Sequence, residues 1–226
     1  LTGAGVSTDC GIPDFRSKNG LYNTMDKKYA KYQPEYLLSH GCFIYEPKIF
    51  YEFYKDKMDC RPNQPGPVHK WLAGLEQSGK RVSIVTQNID GLHSKAGSSE
   101  VYEIHGSINR CYCTKCGRTF SPDSIFESKE LIPRCPDCKG VGFIRPDIVL
   151  YNEPLSMNMY DDAYRAARDS DLMLVMGTSL AVHPACDLPC EFQGDNLVIM
   201  NNQPTGIDEY AQLVFHENLR DVVAGL

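Results

Sequence analysis

Residues 82–93 read Val82-Ser83-Ile84-Val85-Thr86-Gln87-Asn88-Ile89-Asp90-Gly91-Leu92-His93, so that an apolar run passes directly into a string of polar side chains. A second apolar run, Val101–Ile104, ends in the same way at His105-Gly106. The carboxyl ends of neighbouring parallel strands meet at one edge of a sheet, where ligands commonly bind. The two polar strings therefore predict a site at that edge, and its carboxamides, carboxylate and imidazole indicate an enzyme.

Length and charge narrow the class of protein. The 226 residues, 42% of them hydrophobic, suffice for one sizeable core with a small insert. A net charge of −6 gives no general attraction to nucleic acid or to anionic lipid, and we expect neither as a partner. No apolar run approaches the roughly 18 residues that span a bilayer, and we expect no charged-then-apolar leader ahead of Leu1. We therefore expect a cytoplasmic protein.

Strand-like runs alternate with helical spacing along much of the chain. The predicted strands are Val82–Thr86, Ile148–Tyr151, Leu172–Met176, Leu197–Met200 and Leu213–Phe215. Helical spacing is clearest in Ile49–Met58, Val68–Ser78 and Tyr160–Arg168. This order predicts an α/β fold built on a doubly wound parallel sheet.

Two stretches interrupt the alternation. Residues 18–66 are rich in Tyr, Lys and Pro and lack a strand run, which predicts a helical insert. Residues 110–143 carry paired cysteines. We expect the two inserts to form a small lobe beside a large lobe made of residues 1–17, 67–109 and 144–226.

A glycine turn stands at the start of the chain. Gly3-Ala4-Gly5 can bring backbone amides close to a pyrophosphate. The third glycine of the usual dinucleotide fingerprint is replaced by Thr8, and no acidic strand end follows about 20 residues later, so an ordinary dehydrogenase is disfavoured. Because such a turn normally follows a whole buried strand, we expect the sequence to lack its first strand.

Asp14-Phe15-Arg16 brings together a carboxylate, an aromatic ring and a guanidinium. Arg16 suits a phosphate, and Phe15 can cover a ring or a sugar. The alternative is an Asp14–Arg16 pair that holds the loop, with Phe15 in the core.

The polar residues after the first predicted strand suit a ligand with hydroxyl and amide groups. Gln87 and Asn88 can bind ribose hydroxyls, a carboxamide or a water, and Asp90 can accept from an amide such as that of nicotinamide. A helix-capping turn is the alternative. His105, beside a glycine that allows close approach, is a candidate general base, although a lone histidine is often structural.

The cysteines predict a metal. Cys113-x-x-Cys116 and Cys135-x-x-Cys138, separated by eighteen residues, have the spacing of a four-thiolate zinc ribbon. Four sulfurs complete the tetrahedron, so one Zn²⁺ should be structural. A nucleic-acid zinc finger is the rival interpretation, but residues 110–139 hold six basic and four acidic side chains, too small an excess for phosphate binding. The remaining cysteines are expected to be free thiols: Cys10, Cys42, Cys60, Cys111, Cys186 and Cys190.

Together these motifs resemble the sirtuin family of NAD-dependent protein-lysine deacylases, of bacterial type, over nearly the whole chain. Besides the paired cysteines, the matching segments, in family order, are Gly3–Ser7, Gly11–Arg16, Thr86–His93, His105–Ser107, Ile144–Pro146, Gly177–Leu180 and Asn201. The resemblance implies a Rossmann-like large lobe, a small lobe of helices plus a zinc-ribbon insert, and a cleft between them in which NAD and acyl-lysine meet.

The resemblance also implies roles for particular residues. The NAD phosphates and ribose would contact Ala4, Thr8, Phe15 and Arg16. The nicotinamide end would contact Gln87, Asn88, Ile89 and Asp90. The adenosine half would contact Thr178, Ser179, Asn201 and Asp221. The substrate peptide would lie as an added strand between Val149, Leu150, Tyr151, Asn152 and Glu153 on one side and Val182, His183 and Pro184 on the other. The catalytic residues would be His105 as base, Asn88 and Asp90.

The implied reaction consumes NAD. The amide oxygen of acyl-lysine attacks the ribose carbon that bears nicotinamide and expels nicotinamide. A water then completes the release of lysine and O-acyl-ADP-ribose. Asp90 would help to hold the leaving group, His105 would accept a proton from the ribose hydroxyls, and Phe15 would keep water from the sugar. NAD hydrolysis or ADP-ribosyl transfer, and a non-catalytic zinc-ribbon binding module, are the alternatives.

Two positions depart from the family pattern. Sirtuins that prefer acidic acyl groups carry Tyr and, three residues later, Arg, whereas here Tyr54 is followed by Lys57. Lysine offers only a point charge, so acetyl or another uncharged acyl group is expected. Asn152 stands where the family usually has glycine in an aromatic-Gly-Glu turn, which puts the peptide-binding geometry there in question.

Overall fold

Eight strands and seven α-helices make up the computed structural model, which describes residues 1–226. The strands are β1 (Ser83–Thr86), β2 (Glu100–Glu103), β3 (Gly106–Cys113), β4 (Thr119–Phe120), β5 (Ile144–Ile148), β6 (Leu172–Met176), β7 (Asn196–Met200) and β8 (Leu213–Phe215). The α-helices are α1 (His40–Tyr45), α2 (Pro47–Lys57), α3 (Pro67–Gln77), α4 (Leu92–Ala96), α5 (Asp123–Phe126), α6 (Met157–Arg168) and α7 (Leu219–Ala224). Short 3-10 helices cover Ala4–Cys10, Pro34–Leu38, Ala185–Glu191 and Asp208–Tyr210.

The main sheet is parallel. β1 pairs with β2, and β7 pairs with both β6 and β8. Thr2 lies between the two groups: its N–H donates to Val85 O at 2.8 Å, and the next N–H, of Gly3, donates to Met176 O at 3.1 Å. The order across the sheet is therefore β2, β1, Thr2, β6, β7, β8.

Both faces of this sheet are covered, because successive side chains of each strand point to opposite sides. Ile84 and Val198 pack with α3 and α7 on one face. On the other face, Val85 packs with α6 and with the 3-10 helix Ala185–Glu191, and Ile199 packs with α6. The predicted α/β doubly wound sheet is confirmed.

Four of the five predicted strands correspond to β1, β6, β7 and β8, but the prediction for Ile148–Tyr151 is wrong. β5 ends at Ile148 and pairs antiparallel with β3 in a separate three-stranded sheet with β4. The following residues connect two parts of the molecule: Val149 N donates to His105 O at 2.9 Å, and Tyr151 N donates to Leu38 O at 3.0 Å. An apolar run alone does not distinguish such a buried connection from a strand.

The predicted helices are confirmed with shifted bounds, since α2 and α3 each begin at a proline, Pro47 and Pro67. Proline suits the first helical turn, where its missing N–H would have no partner. None of the helices combines the length and apolar character that crossing a membrane requires.

A second core joins the helical insert to the cysteine-rich segment. Aromatic side chains of α1 and α2, including Phe43, Phe50 and Tyr51, pack in one cluster with Ile125 and Cys135. This core lies opposite the carboxyl edge of the main sheet, and its residues form one wall of the cavity at that edge.

Candidate active site

A cavity of about 1010 Å³ opens at the carboxyl edge of the parallel sheet. The first or second residues after the ends of β1, β2, β6 and β7 line it, namely Gln87, His105, Thr178 and Asn201. The opposite wall includes residues of the helical insert and of the connection after β5. The structure therefore brings the two polar strand ends to one site.

The glycine turn packs directly against the end of β6. Gly5 N donates to Gly177 O at 2.8 Å, and a Cβ on Gly5 would lie 2.7 Å from the Cα of Gly177. Gly177 itself has φ +61°, a left-handed conformation that favours glycine. Glycine at these positions lets the 3-10 helix Ala4–Cys10 approach the strand end, and Ala4 and Thr8 line the cavity.

A buried hydrogen-bond network holds the polar residues after β1. Asn88 Nδ2 donates to Gly3 O at 3.0 Å and to Ser7 Oγ at 3.1 Å, and Ser7 Oγ donates to Asp90 Oδ2 at 2.7 Å. Asp90 Oδ1 accepts from Leu92 N at 2.9 Å, so the turn also supports the start of α4. All three side chains are buried, which fixes their orientation at the cavity wall.

His105 is held in one tautomer. Its Nδ1 lies 2.9 Å from Gln87 O, and because a carbonyl oxygen only accepts, Nδ1 carries the hydrogen and Nε2 is left as an acceptor. Burial lowers the pKa of His105 below its ordinary value of 6.5, although the hydrogen bond to Gln87 raises it. The ring is therefore neutral at pH 7 and can accept a proton.

The Asp14-Phe15-Arg16 segment does not form the side-chain pair of the alternative interpretation. Asp14 Oδ1 accepts from the backbone N–H groups of Arg16 at 3.1 Å and Ser17 at 2.8 Å. The Arg16 guanidinium is exposed and donates to Tyr151 OH at 3.2 Å. Phe15 is half-buried, and both Phe15 and Arg16 line the cavity. The alternative in which Asp14 pairs with the Arg16 side chain is therefore wrong.

Four thiols converge as the zinc-ribbon motif predicts. The Sγ atoms of Cys113 and Cys138 lie 3.7 Å apart and those of Cys116 and Cys135 3.9 Å apart. With Zn–S bonds of about 2.3 Å, the edge of a tetrahedral site is about 3.8 Å long. The four cysteines therefore fit one structural Zn²⁺, while Cys111 stays outside the cluster as predicted.

The comparison with protein families settles the class of this chain. A family model described as "Sir2 family" matches residues 3–184. The chain belongs to the Sir2 family. The predicted resemblance to sirtuins is thereby confirmed.

Curated relatives of this sirtuin share its whole length. A protein from Clostridium tetani named NAD-dependent protein deacetylase is 44% identical over 224 residues, which is 99% of this chain and 89% of that protein. A protein of the same name from Staphylococcus aureus is 41% identical over 226 residues, 100% of this chain and 90% of that protein.

Solved sirtuin structures have the same fold. A Sir2 complex with a p53 peptide and NAD⁺ superposes with a TM-score of 0.88 at 33% identity and covers 100% of this chain and 89% of that one. Sir2 bound to acetylated peptide gives the same values of 0.88, 33%, 100% and 89%. The predicted fold class is confirmed by these neighbours.

On the adenosine side, the sirtuin brings three of the four predicted residues to the cavity. Thr178, Ser179 and Asn201 line it, and Gln87 Nε2 donates to Thr178 Oγ1 at 2.9 Å, which joins the ends of β1 and β6. Asp221 is exposed and does not line the cavity. Asn218 lines it instead, a residue that the sequence reasoning missed. The sequence clue to Asn218 is its residue type, because asparagine often caps the start of a helix. Its Oδ1 accepts from Arg220 N at 2.9 Å at the start of α7.

The segments predicted to hold the peptide, residues 149–153 and 182–184, both line the cavity. The Glu153 carboxylate anchors the first of them by accepting from Arg145 at 2.8 and 2.9 Å, from His40 Nδ1 at 2.8 Å and from Leu150 N at 3.0 Å. Burial alone would raise the pKa of Glu153, but these hydrogen bonds lower it to about 2. Asn152 has φ +68°, so the turn keeps the left-handed geometry that glycine would supply.

Only one of the two predicted acyl-selectivity residues reaches the cavity. Lys57 lines it, with its Nζ 2.8 Å from Asp26 Oδ2 and 3.6 Å from Asp56 Oδ2. Tyr54 is completely buried, stacks on Phe126 at 5.2 Å between ring centroids, and has no hydrogen-bond partner for its hydroxyl.

Proposed function

We propose that this sirtuin is an NAD-dependent protein-lysine deacetylase, which transfers acetyl or another uncharged acyl group from lysine to ADP-ribose and releases nicotinamide. The observation that carries the proposal is the single cavity lined by His105, Asn88, Asp90 and the glycine turn. The names of the curated relatives and the NAD⁺ and acetylated-peptide complexes of solved neighbours support it.

NAD would lie across the sheet edge of the large lobe (residues 1–17, 67–109 and 144–226), and acyl-lysine would enter beside the small lobe (residues 18–66 and 110–143). Bound NAD supplies an electrophilic ribose carbon whose bond to nicotinamide breaks under attack by the amide oxygen. Its phosphates and ribose would contact Ala4, Thr8, Phe15 and Arg16. Its adenosine half would contact Thr178, Ser179, Asn201 and Asn218. Phe15 would keep water from the reactive sugar.

At the nicotinamide end, the network around Ser7 fixes the groups that bind the leaving amide. Asn88 Nδ2 is occupied by Gly3 O and Ser7 Oγ, so its Oδ1 remains as the acceptor for a ribose hydroxyl or a water. The Asp90 carboxylate, held by Ser7 and Leu92 N, presents negative charge where an amide N–H₂ would donate. Gln87 and Ile89 complete this wall.

His105 is proposed as the general base. The Gln87 carbonyl keeps the hydrogen on Nδ1, which leaves Nε2 to take a proton from a ribose hydroxyl. Its lowered pKa means that the basic form is present at neutral pH. No residue needs to change tautomer before the proton moves.

The acylated peptide would add as a strand between residues 149–153 and 182–184, which contact mainly its backbone. Lys57 is paired with Asp26 and Asp56, so it offers little free positive charge to an acidic acyl group. Apolar Leu38 and Met58 also line the cavity. Uncharged acyl groups are therefore preferred in this proposal.

The test is nicotinamide release by the purified chain with NAD, in the presence and absence of acetylated peptide. Release that requires peptide supports deacylation. Release that is equally fast without peptide would instead indicate that the protein hydrolyses NAD. If no nicotinamide is released, the protein would be a non-catalytic zinc-ribbon binding module. Acetyl, butyryl and succinyl peptides compared in the same assay test the acyl preference, with succinyl expected to be slowest.

We also propose a cytoplasmic location. None of the ten cysteines forms a disulfide, which suits a reducing compartment. Cell fractionation that recovers the protein with the cytosolic markers would support the proposal, and recovery outside the cytosol would contradict it.

A further inference from the structure

A second group of metal-binding side chains lies apart from the zinc ribbon. His183, Cys186 and Asp187 stand at the start of the 3-10 helix Ala185–Glu191. His183 Nδ1 lies 3.2 Å from Cys186 Sγ and 3.1 Å from Asp187 Oδ2, and Cys186 Sγ lies 3.6 Å from Asp187 Oδ1. One ligand atom from each of the three residues therefore lies within 4.8 Å of the other two.

The separation of 3.6 Å agrees with a tetrahedral zinc site, and those of 3.1 and 3.2 Å are a few tenths of an ångström shorter. Bonds of about 2.3 Å to sulfur and about 2.0–2.2 Å to nitrogen and oxygen place neighbouring ligand atoms about 3.4–3.6 Å apart. Imidazole, thiolate and carboxylate are all ligands that Zn²⁺ accepts. We propose that His183, Cys186 and Asp187 form a second Zn²⁺ site, with three protein ligands and one open position.

The backbone that carries the three ligands is held in place. Ala185 and Leu188, on the opposite face of the same short helix, are completely buried in the core with Val85. The face with Cys186 and Asp187 is consequently turned outward in a fixed orientation. A site whose ligands are already positioned loses less conformational entropy when the ion binds.

The open coordination position makes this site different from the zinc ribbon. Four thiolates leave Cys113, Cys116, Cys135 and Cys138 no vacancy, whereas three ligands at the rim leave room for water or another donor. The His183 side chain is 76% exposed and the Asp187 side chain 50% exposed, so the bound ion would exchange readily with ions in solution. The second ion is therefore expected to be removable by a mild chelator that leaves the first in place.

Zinc bound at this site would affect binding of the substrate peptide, an inference that rests on the proposed function. His183 lines the cavity, but Cys186 and Asp187 do not, so a bound ion would sit at the rim beside the segment proposed to hold the peptide. Ligation would fix the His183 ring at that rim. Zn²⁺ would then compete with peptide binding and lower activity reversibly.

The first experiment counts zinc in the full chain without any substrate. After dialysis against buffered free Zn²⁺ and a non-thiol reductant, elemental analysis should give two zinc ions per wild-type chain. Cys186→Ser and His183→Ala should each give one. Cys190→Ser is the matched control, because its exposed thiol is outside the cluster, and it should keep two. One zinc in the wild type, or two in both cluster variants, would overturn the site.

A spectroscopic signature identifies the ligand. Co²⁺ added to the chain that holds one zinc should produce a thiolate-to-cobalt charge-transfer band in the wild type and in Cys190→Ser. Cys186→Ser should lose that band. If the band persists in Cys186→Ser, Cys186 is not a ligand and the assignment fails.

The second step is tested by kinetics with acetylated peptide. Added Zn²⁺ should raise the KM for peptide several-fold in the wild type, leave kcat nearly unchanged, and have no effect on Cys186→Ser. Equal inhibition of both proteins would overturn the link to the peptide. Metal counting needs no deacylase activity, so the zinc site and the proposed function can fail independently.

Discussion

The strand-end site and the zinc ribbon are held together by different forces. Ser7, Asn88 and Asp90 are fixed by hydrogen bonds on a sheet whose two faces are both covered by helices. Between residues 114 and 143, by contrast, the buried side chains are only those of Ile125, Pro133 and Cys135. So small a core does not order thirty residues without a metal.

Because of this difference, substitutions at the two sites should have different effects. A side chain at a strand end can be replaced while the sheet beneath it stays intact, so its loss should change the rate and little else. Each zinc-ribbon cysteine supports the whole insert, whose Ile125 and Cys135 share a core with α1 and α2. Replacing one of them should disturb the fold first and the activity as a consequence.

Cys135→Ser should have the largest effect. Structural zinc binding is worth about 10–16 kcal/mol in zinc-finger peptides, so loss of a buried ligand should release the metal and unfold residues 110–143. Elemental analysis, circular dichroism and the deacetylation rate measure the three consequences. Cys190→Ser controls for the loss of a thiol and should keep zinc, fold and rate. Full zinc occupancy in Cys135→Ser would show that the zinc ribbon does not depend on this ligand.

His105→Ala should come next and should affect only chemistry. Loss of a general base lowers kcat by about 10²- to 10⁴-fold. Zinc content, Tm and the affinity for NAD should stay close to those of the wild type, because the ring lines the cavity rather than the core. Mass spectrometry of the acetylated peptide gives the rate. A variant that deacetylates as fast as the wild type would show that another group takes the proton.

The pH dependence of the reaction gives a second test of His105 as the general base. Burial disfavours the charged imidazolium, so the pKa of His105 lies below 6.5, and the base form predominates above it. The kcat/KM for peptide should thus be flat near neutral pH and fall about tenfold per pH unit below the pKa of His105. An acid limb centred above pH 7 would be inconsistent with this site.

Ser7→Ala should destabilise the site without touching zinc. It leaves Asp90 Oδ2 without its donor and removes one of two acceptors of Asn88 Nδ2, both buried. An unsatisfied buried polar group costs about 1–3 kcal/mol. Chemical denaturation should detect that loss in the free energy of unfolding. Ser94→Ala is the control, since Ser94 is exposed on α4, and its stability should stay within about 0.5 kcal/mol of the wild type.

Asn152 should give the smallest effect. Its φ of +68° favours glycine or asparagine, so Asn152→Ala should cost about 1 kcal/mol and raise the KM for peptide, whereas Asn152→Gly should be nearly neutral. Thermal unfolding and peptide titration of both variants measure this. Equal behaviour of the two would mean that the turn tolerates any residue.

The sequence predicted the features that depend on local pattern. Apolar runs that end in polar strings located β1 and the end of β2, and cysteine spacing located the zinc ribbon, because both are set by residues near one another in the chain. The strand ends then had to meet, since parallel strands share an edge.

The burial of Tyr54 and the orientation of α7 depend on tertiary packing instead. Tyr54 and Lys57 share α2, but the first is buried against Phe126 and the second pairs with Asp26, contacts that helical spacing does not reveal. Asp221 and Asn218 lie within one turn, and only the orientation of α7 decides which lines the cavity. Tertiary packing also decides that the apolar residues after Ile148 form a connection between two parts of the molecule and not a strand.

Product stoichiometry with an acetylated-lysine peptide and NAD tests directly whether this cavity catalyses deacetylation. For each nicotinamide released, we expect one deacetylated lysine and one O-acetyl-ADP-ribose, and all three products should be lost together in His105→Ala. Nicotinamide and ADP-ribose formed while the peptide stays acetylated would contradict it.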